Sequence, residues 1–419
     1  MFIVLAAAAL TVPAKAGHEA VLLIDASSGK VLQADNATLP WHPASTSKLM
    51  TTYVTLQAIK EGRIGLDTLL TVSPRAVSQG PSKMGFPAGI QLTVDNALKM
   101  MLVHSANDIA VVLAEGVDGS VEKFAEEMNL TSQRLGMVQS NWVNPNGLPD
   151  DAQISSARDL GILARALIRD FPEFDSYWHI PSIKFGRRVM RNYNKLLAEY
   201  PGADGMKTGF ICASGFNLVA SATRGNRRLI AVVLGAPSGA VRTTKAASML
   251  ERGFNSSALA WLLPSLGTVD ALQPIKADPP DLREQTCGPH RKRPAAEDED
   301  DDAGTSADND QQRVMTLATT KDGSPASLLT GNPLAAVPPI VVYVGPKRAT
   351  AVATAADDAA IPAPKPRRKH KVATTDKPTD KPAAAKGTAA APAEAKAAAK
   401  SPKTAQAKAA KPKSTPHTQ

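Results

Sequence analysis

The sequence predicts an α+β domain built on one antiparallel sheet, followed by a long tail that does not pack. Three observations carry this. Strand-like segments stand at both ends of residues 18–256 and enclose a helical middle, the order expected when helices cover an antiparallel sheet. Aromatic residues are only 4% of 419, and nearly all lie before residue 265, so the material for a core is concentrated there. Beyond Ala349 the chain is Ala, Lys, Pro and Thr with almost no large apolar side chains. Such a segment buries too little surface to offset its conformational entropy, and it is expected to be disordered.

The elements follow in order. Ala20 to Asp25 reads as a strand, residues 26–30 as a turn, and Val31-Leu32 as the start of the return strand. Ser45 to Glu61 is helical, with Leu49, Met50, Val54, Leu56 and Ile59 apolar and a stop near Gly62. Further helices are expected over Leu92 to Leu102, Asn107 to Glu115, Glu122 to Leu135 and Ser156 to Ile168. The last opens on a capping box with Asp159 in place of glutamate. Strands return after residue 203, with a hairpin of Phe216 to Ala222 and Leu229 to Leu234 about a polar turn. Ala246 to Gly253 reads as a last helix ending at glycine. Past residue 265, Glu297 to Asp302 is a block of like charge that will not pack, and only Val337 to Val344 is strand-like.

Charge divides along the same line. Lys and Arg outnumber Asp and Glu by 48 to 39, a net +9; residues 363–419 hold 14 against 3, or +11, leaving 34 against 36, or −2, for the rest. The basicity therefore belongs to the tail. Its expected partners are anionic surfaces, a wall polymer or lipid head groups, with a solvated extension as the alternative. Nucleic acid is not an expected partner. At the other end, an apolar run from Phe2 ends in Ala14-Lys15-Ala16, a small-x-small cleavage pattern. It reads as a signal peptide over 1–16, although no Lys or Arg precedes it. The expectation is export across the inner membrane to the periplasm, with peripheral membrane association as an option. Cys212 and Cys287 are too few for a disulfide scaffold, and Cys287 lies in a Pro-rich, charged stretch; both are read as unpaired. The resulting organisation is 1–16 signal peptide, 17–256 folded domain, 257–348 charged linker, mostly disordered, and 349–419 basic tail.

Three short motifs carry chemistry. In Ser45-Thr46-Ser47-Lys48 the serine and lysine stand three apart at a helix start, on one face, so an ammonium can lie beside the hydroxyl. A serine needs a base to become a nucleophile, and a lysine serves only if burial or a nearby cation lowers its pKa. In Ser105-Ala106-Asn107 a hydroxyl and a carboxamide can relay protons and hold a peptide carbonyl; the same string also suits a plain N-cap. In Lys207-Thr208-Gly209 a cation and a hydroxyl can grip a carboxylate, while glycine lets a peptide lie close to an edge strand. Singly, each reads equally as an ordinary helix start, cap or surface turn.

Together, in this order, they resemble the signature of penicillin-binding proteins and serine β-lactamases. The surrounding strings, Pro43 to Val54, Asn144 to Leu148, Ser155 to Leu160, Asp204 to Gly209 and Gly215 to Ala222, are closest to the low-molecular-weight D-alanyl-D-alanine carboxypeptidases. The likeness spans roughly residues 18–256. It implies the transpeptidase-like fold, an antiparallel sheet between helical layers, and no cofactor or metal. By the same resemblance Ser45 is acylated by the penultimate D-Ala carbonyl of a peptidoglycan stem peptide, and also by β-lactam antibiotics. Lys48 is its base, and Ser105 and Asn107 shuttle the proton and orient the substrate. Lys207, Thr208 and Gly209 receive the terminal carboxylate, and Arg242 supports them. The N–H groups of Ser45 and Phe210 form the oxyanion hole, at ~3 kcal/mol per donor. Phe210 departs from those relatives that carry histidine there. A second all-β domain and a C-terminal amphipathic helix, frequent in relatives, have no counterpart of normal texture here.

Other readings differ in testable features. A class A β-lactamase would need Glu-x-x-Leu-Asn between Asn107 and Lys207, and no such string occurs. A D-Ala endopeptidase of the same family fits the motifs equally. A zinc peptidase lacks its His-Glu-x-x-His. A Ser-His-Asp hydrolase lacks a Gly-x-Ser-x-Gly elbow, and His104 reads as a helix-face residue. A non-catalytic wall-binding module would depend on the tail.

Overall fold

The computed structural model describes residues 19–255, 266–289, 328–348 and 355–360. The expected signal peptide at 1–16, the acidic run Glu297 to Asp302 and nearly all of the basic tail lie outside the described residues. Everything described belongs to one compact unit that extends to Pro364.

Along the chain, β1 (Ala20–Asp25) and β2 (Val31–Asp35) form a hairpin, and a 3₁₀ turn at Ala44–Ser47 leads into α1 (Lys48–Lys60). β3 (Leu69–Thr71), α2 (Pro74–Val77) and β4 (Gln91–Thr93) precede α3 (Val94–Val103), α4 (Asn107–Asp118), α5 (Val121–Leu135) and α6 (Ala157–Asp170). β5 (Ser182–Phe185) and β6 (Arg188–Arg191) make a second hairpin. α7 (Leu196–Glu199) comes before β7 (Ala203–Ile211), β8 (Gly215–Arg224), β9 (Arg227–Ala236) and α8 (Gly239–Asn255). Later chain adds α9 (Arg283–Cys287) and β10 (Ile340–Val341).

The main sheet has the order β2-β1-β9-β8-β7 and is antiparallel throughout. Side chains of a strand alternate between faces, so each strand feeds two cores. Leu22, Ile24, Ile230, Val232 and Leu234 join one core with α1, α3, α4 and α6. Val21, Leu23, Leu229, Ala231 and Val233 join the other with Ala246, Met249 and Leu250 of α8. This is the expected sheet between helical layers. A one-residue slip of register would exchange the two sets, so both layers enforce the pairing.

α1 is buried nearly all round although it carries three threonines. Their hydroxyls are satisfied: Thr52 and Thr55 donate back to the carbonyls of Lys48 and Thr51, and Thr51 donates to the carbonyl of Pro145. A helix buried on every side needs this, because an unpaired buried hydroxyl costs about 1–3 kcal/mol.

Several local expectations change. Ser45 precedes the α-helix and sits in the 3₁₀ turn. Leu92 is in β4, paired with Leu70, because Thr93 is extended and caps α3 through its side chain. α8 runs through Gly253 to Asn255; an added Cβ at Gly253 would lie 2.7 Å from Leu229 and 2.9 Å from Leu23, so this glycine admits the sheet and does not end the helix. Ser156 caps α6 as expected, whereas Asp159 accepts from the Gln139 amide, Ser140 and Arg158 and leaves the reciprocal capping bond unmade.

Past residue 256 the chain still packs on the domain. Val269 is fully buried and donates its N–H to the Gly29 carbonyl. Asn332 donates to the carbonyls of Tyr200 and Ala203. β10 runs parallel to β5, and Val342 beside it is fully buried. The reading of the cysteines as unpaired is overturned: Cys212 and Cys287 form a disulfide across 75 positions, with Cα atoms 5.6 Å apart. Local composition concealed the pair, because what brings Cys287 to Cys212 is the Leu282 N–H bonded to the Ala213 carbonyl at 3.0 Å.

Candidate functional site

The turn that presents Ser45 is fixed from three directions. The Trp41 indole N–H donates to the Ser214 carbonyl at 3.0 Å. The Asn217 amide donates to the carbonyls of His42 and Pro43 at 3.0 and 3.2 Å, tying the turn to β8. Thr46 and Ser47 hydroxyls close back on Pro43 and Ala44. Ala44 itself has φ +51°, a left-handed conformation that costs a non-glycine residue energy and holds only because its neighbours determine it. Ser45 thus reaches the end of α1 on a strained turn, which turns its hydroxyl toward a cleft of about 310 Å³.

Lys48 is the hub. It is fully buried, and its ammonium donates to Ser45 Oγ at 2.9 Å, to Asn107 Oδ1 at 2.7 Å and to the Asn146 carbonyl at 2.6 Å. A buried ammonium has to find acceptors for its three protons, and the 3₁₀ turn, α4 and the 144–148 turn each supply one. Asn107 is oriented in turn: its amide nitrogen donates to the carbonyls of Gly80 and Pro81 at 3.2 and 2.9 Å, which leaves the oxygen for lysine. The next residue, Asp108, holds the loop above, accepting from the Met84 and Gly85 N–H groups at 3.1 and 2.8 Å. Burial pushes its carboxyl up, against those hydrogen bonds and the Lys83 charge.

β7 forms the opposite wall and is an edge of the sheet. A Cβ on Gly209 would stand 2.8 Å from the Ser45 nitrogen and 2.9 Å from the Thr46 nitrogen, so only glycine lets the strand pass this close to the turn. Phe210 follows, lines the cleft beside Ser45 and Asn107, and packs on Phe216 at 4.4 Å between ring centroids. Gly147 performs the same service from the far side, where a Cβ would meet the Ala44 carbonyl at 1.8 Å.

The structure brings Ser45, Lys48 and Asn107 into direct contact, with Gly209 and Phe210 against them. Lys207 is buried and donates to the Thr208 carbonyl at 3.0 Å. Ser105 has φ +56°, and its buried hydroxyl finds no partner among the described residues; the Thr208 hydroxyl is in the same state. Ser105 therefore does not act as a plain cap: Ala106 holds the N-cap position of α4. Ser105 and Thr208 each stand two positions before a residue of the cleft wall, Asn107 and Phe210, and an unpaired buried hydroxyl is uncommon in a native structure. Arg242 is set back from the cleft. It donates to the Asn217 carbonyl at 3.2 Å, and Asn217 is the cross-strand partner of Gly209. His104 stacks on Tyr193 with ring centroids 5.9 Å apart.

Sequence reasoning missed the Asn146 carbonyl, Gly147 and Arg283, which lines the cleft from α9. A backbone carbonyl has no residue-type signal. The only hint was the Asn144 to Leu148 string itself.

A lysine held against a serine hydroxyl can, as the free amine, take its proton, and an adjacent base is what a serine nucleophile requires. Comparison with known proteins agrees. The profile of the peptidase S11 family, D-alanyl-D-alanine carboxypeptidase, matches residues 6–238. The chain is 38% identical over 240 residues to D-alanyl-D-alanine carboxypeptidase DacC of Escherichia coli, covering 56% of this chain and 60% of that protein. It therefore spans about three fifths of the length of that relative. Among solved structures, penicillin binding protein 5 from Haemophilus influenzae matches at 37% identity with a TM-score of 0.54, covering 56% of this chain and 70% of that one. Penicillin-binding protein D2 from Listeria monocytogenes, in an ampicillin-bound form, matches at 30% identity and a TM-score of 0.50, covering 56% and 96%.

Proposed function

Because the chain belongs to the peptidase S11 family of D-alanyl-D-alanine carboxypeptidases, we propose that it removes the terminal D-Ala from peptidoglycan stem peptides through an acyl-enzyme on Ser45. The observation that carries this reading is the buried Lys48 ammonium held at once by Ser45 and Asn107.

In this reading Lys48, as the amine, takes the Ser45 proton while Oγ attacks the penultimate D-Ala carbonyl carbon. The N–H groups of Ser45 and Phe210 hold the developing oxyanion. The C–N bond breaks, the departing nitrogen receives a proton by way of Ser105, and terminal D-Ala leaves. Water then hydrolyses the ester. Lys207, Thr208 and Gly209 receive the terminal carboxylate, and Arg242 supports them through Asn217 and β8. Penicillin would enter the same step, since it too presents a carbonyl to Ser45 and a carboxylate to Lys207. A histidine in place of Phe210 would add a titrating group; the phenyl ring leaves only the backbone donor.

The reading places the enzyme in the periplasm after export on residues 1–16. The +11 segment at 363–419 would lie against an anionic wall or membrane surface.

Mass spectrometry of the purified protein after brief exposure to penicillin tests the mechanism, with release of D-Ala from a peptide ending in D-Ala-D-Ala measured alongside. A penicilloyl adduct on Ser45, absent from Ser45→Ala, is expected. Drug hydrolysis without an adduct would favour a β-lactamase. Neither adduct nor hydrolysis would favour the binding module.

A further inference from the structure

Arg283 stands on the wall of the cleft that Ser45 opens into. It belongs to α9, far beyond residue 238, where the family match ends. Three ties hold α9 in place. The Leu282 N–H donates to the Ala213 carbonyl at 3.0 Å, the Thr286 hydroxyl donates to the Cys212 carbonyl, and Cys287 is bonded to Cys212. Cys212 and Ala213 are themselves cleft wall, directly after Phe210 and Ile211.

The direction of a bound peptide follows from two points on β7. If its terminal carboxylate lies at Lys207 and Thr208 and its scissile carbonyl at Phe210, the rest of the chain runs on past Ile211 toward Cys212 and Ala213. A strand advances ~3.3 Å per residue, so the peptide comes level with Arg283 one or two residues upstream of the D-Ala pair. The Arg283 guanidinium already pairs with Asp281 at 2.7 Å and reaches Asp151 at 3.7 Å. All three side chains are more than half exposed. Exposed pairs of this kind are weak and exchange readily, so a peptide carboxylate competes for the guanidinium.

We propose that Arg283 is a substrate-binding residue that recognises a carboxylate carried by the stem peptide one or two residues before the D-Ala-D-Ala pair, and that the disulfide keeps it there. This rests on the carboxypeptidase reading above.

The test uses the full chain and three peptides ending in D-Ala-D-Ala. They are identical except that the two preceding residues are Gln-Gln, Glu-Gln or Gln-Glu, and kcat and KM for D-Ala release are measured for each. The native protein should favour one Glu peptide over Gln-Gln by roughly threefold to fivefold, in KM, and the ratio should shrink at high salt. Arg283→Ala should bring the ratio close to one, Arg283→Glu should invert it, and Arg283→Lys should keep much of it. Cys287→Ser, which frees α9, should also lower it. D-Ala release with no preference in the native protein, or a preference that survives Arg283→Ala, overturns the role of Arg283 and leaves the carboxypeptidase reading intact. Release from none of the peptides overturns both.

Discussion

Lys48 Nζ donates to Asn107 Oδ1 at 2.7 Å, joining two helix starts 59 positions apart. The pair is buried, and Asn107 can point its oxygen at lysine only because its nitrogen is occupied by Gly80 and Pro81. Asn107→Ala would strand an ammonium proton and two loop carbonyls. Acylation by penicillin should slow by ~10²-fold or more, and the protein should lose about 1–3 kcal/mol of stability. Stopped-flow acylation and thermal unfolding read the two effects, and a native rate in the variant would remove Asn107 from the site.

Lys48→Arg should fail where a mere charge would suffice. The guanidinium stays protonated and cannot take the Ser45 proton, so the acylation rate should fall by ~10²–10⁴-fold. Rapid adduct formation on Ser45 in this variant would mean that another group is the base.

Gly209→Ala places a methyl group 2.8 Å from the Ser45 nitrogen and 2.9 Å from that of Thr46. Backbone cannot yield as a side-chain tip does, so β7 or the turn must shift. A displacement approaching 1 Å costs on the order of 10²-fold in rate. Second-order acylation constants for the native and variant proteins decide it; a change below threefold would show that β7 does not set the position of Ser45.

Acid sensitivity should come from two carboxylates away from the site. Burial alone would raise both. Hydrogen bonds from Ser27, Ser28 and Arg227 outweigh it at Asp25, and those from His179 and Arg228 do so at Asp175, holding each at about 2. A depressed folded pKa stabilises above the unfolded value, and that stability is lost as pH falls through the folded one. The melting temperature should therefore drop between about pH 4 and pH 2, and Asp175→Asn should flatten the drop. An unchanged slope in that variant would place the acid sensitivity elsewhere.

The Cys212–Cys287 bond closes a loop of 75 positions. On loop-closure grounds its removal by Cys287→Ser should cost up to about 4 kcal/mol. Calorimetry of the native protein with and without reductant should show the same loss, and reductant should leave Cys287→Ser unchanged. Equal melting temperatures for native and variant would show that the other ties of α9 suffice.

Much of this protein was legible in its sequence because the relevant signals are local. Ala20 to Asp25 and Leu229 to Leu234 are nearly unbroken apolar runs, the mark of strands buried on both faces, since successive side chains point to opposite sides and so feed two cores. Ser45 and Lys48 could be paired on one face because a helical turn brings positions three apart together. What only the tertiary structure decided depends on which distant segments meet. The Asn146 carbonyl reaches Lys48, Gly209 and Gly147 press on the Ser45 turn, and Arg283 arrives on a segment held by Cys287. Backbone atoms, close approaches and long-range bonds carry no periodicity, so they come into being only when the sheet, the helices and the returning chain close on one another.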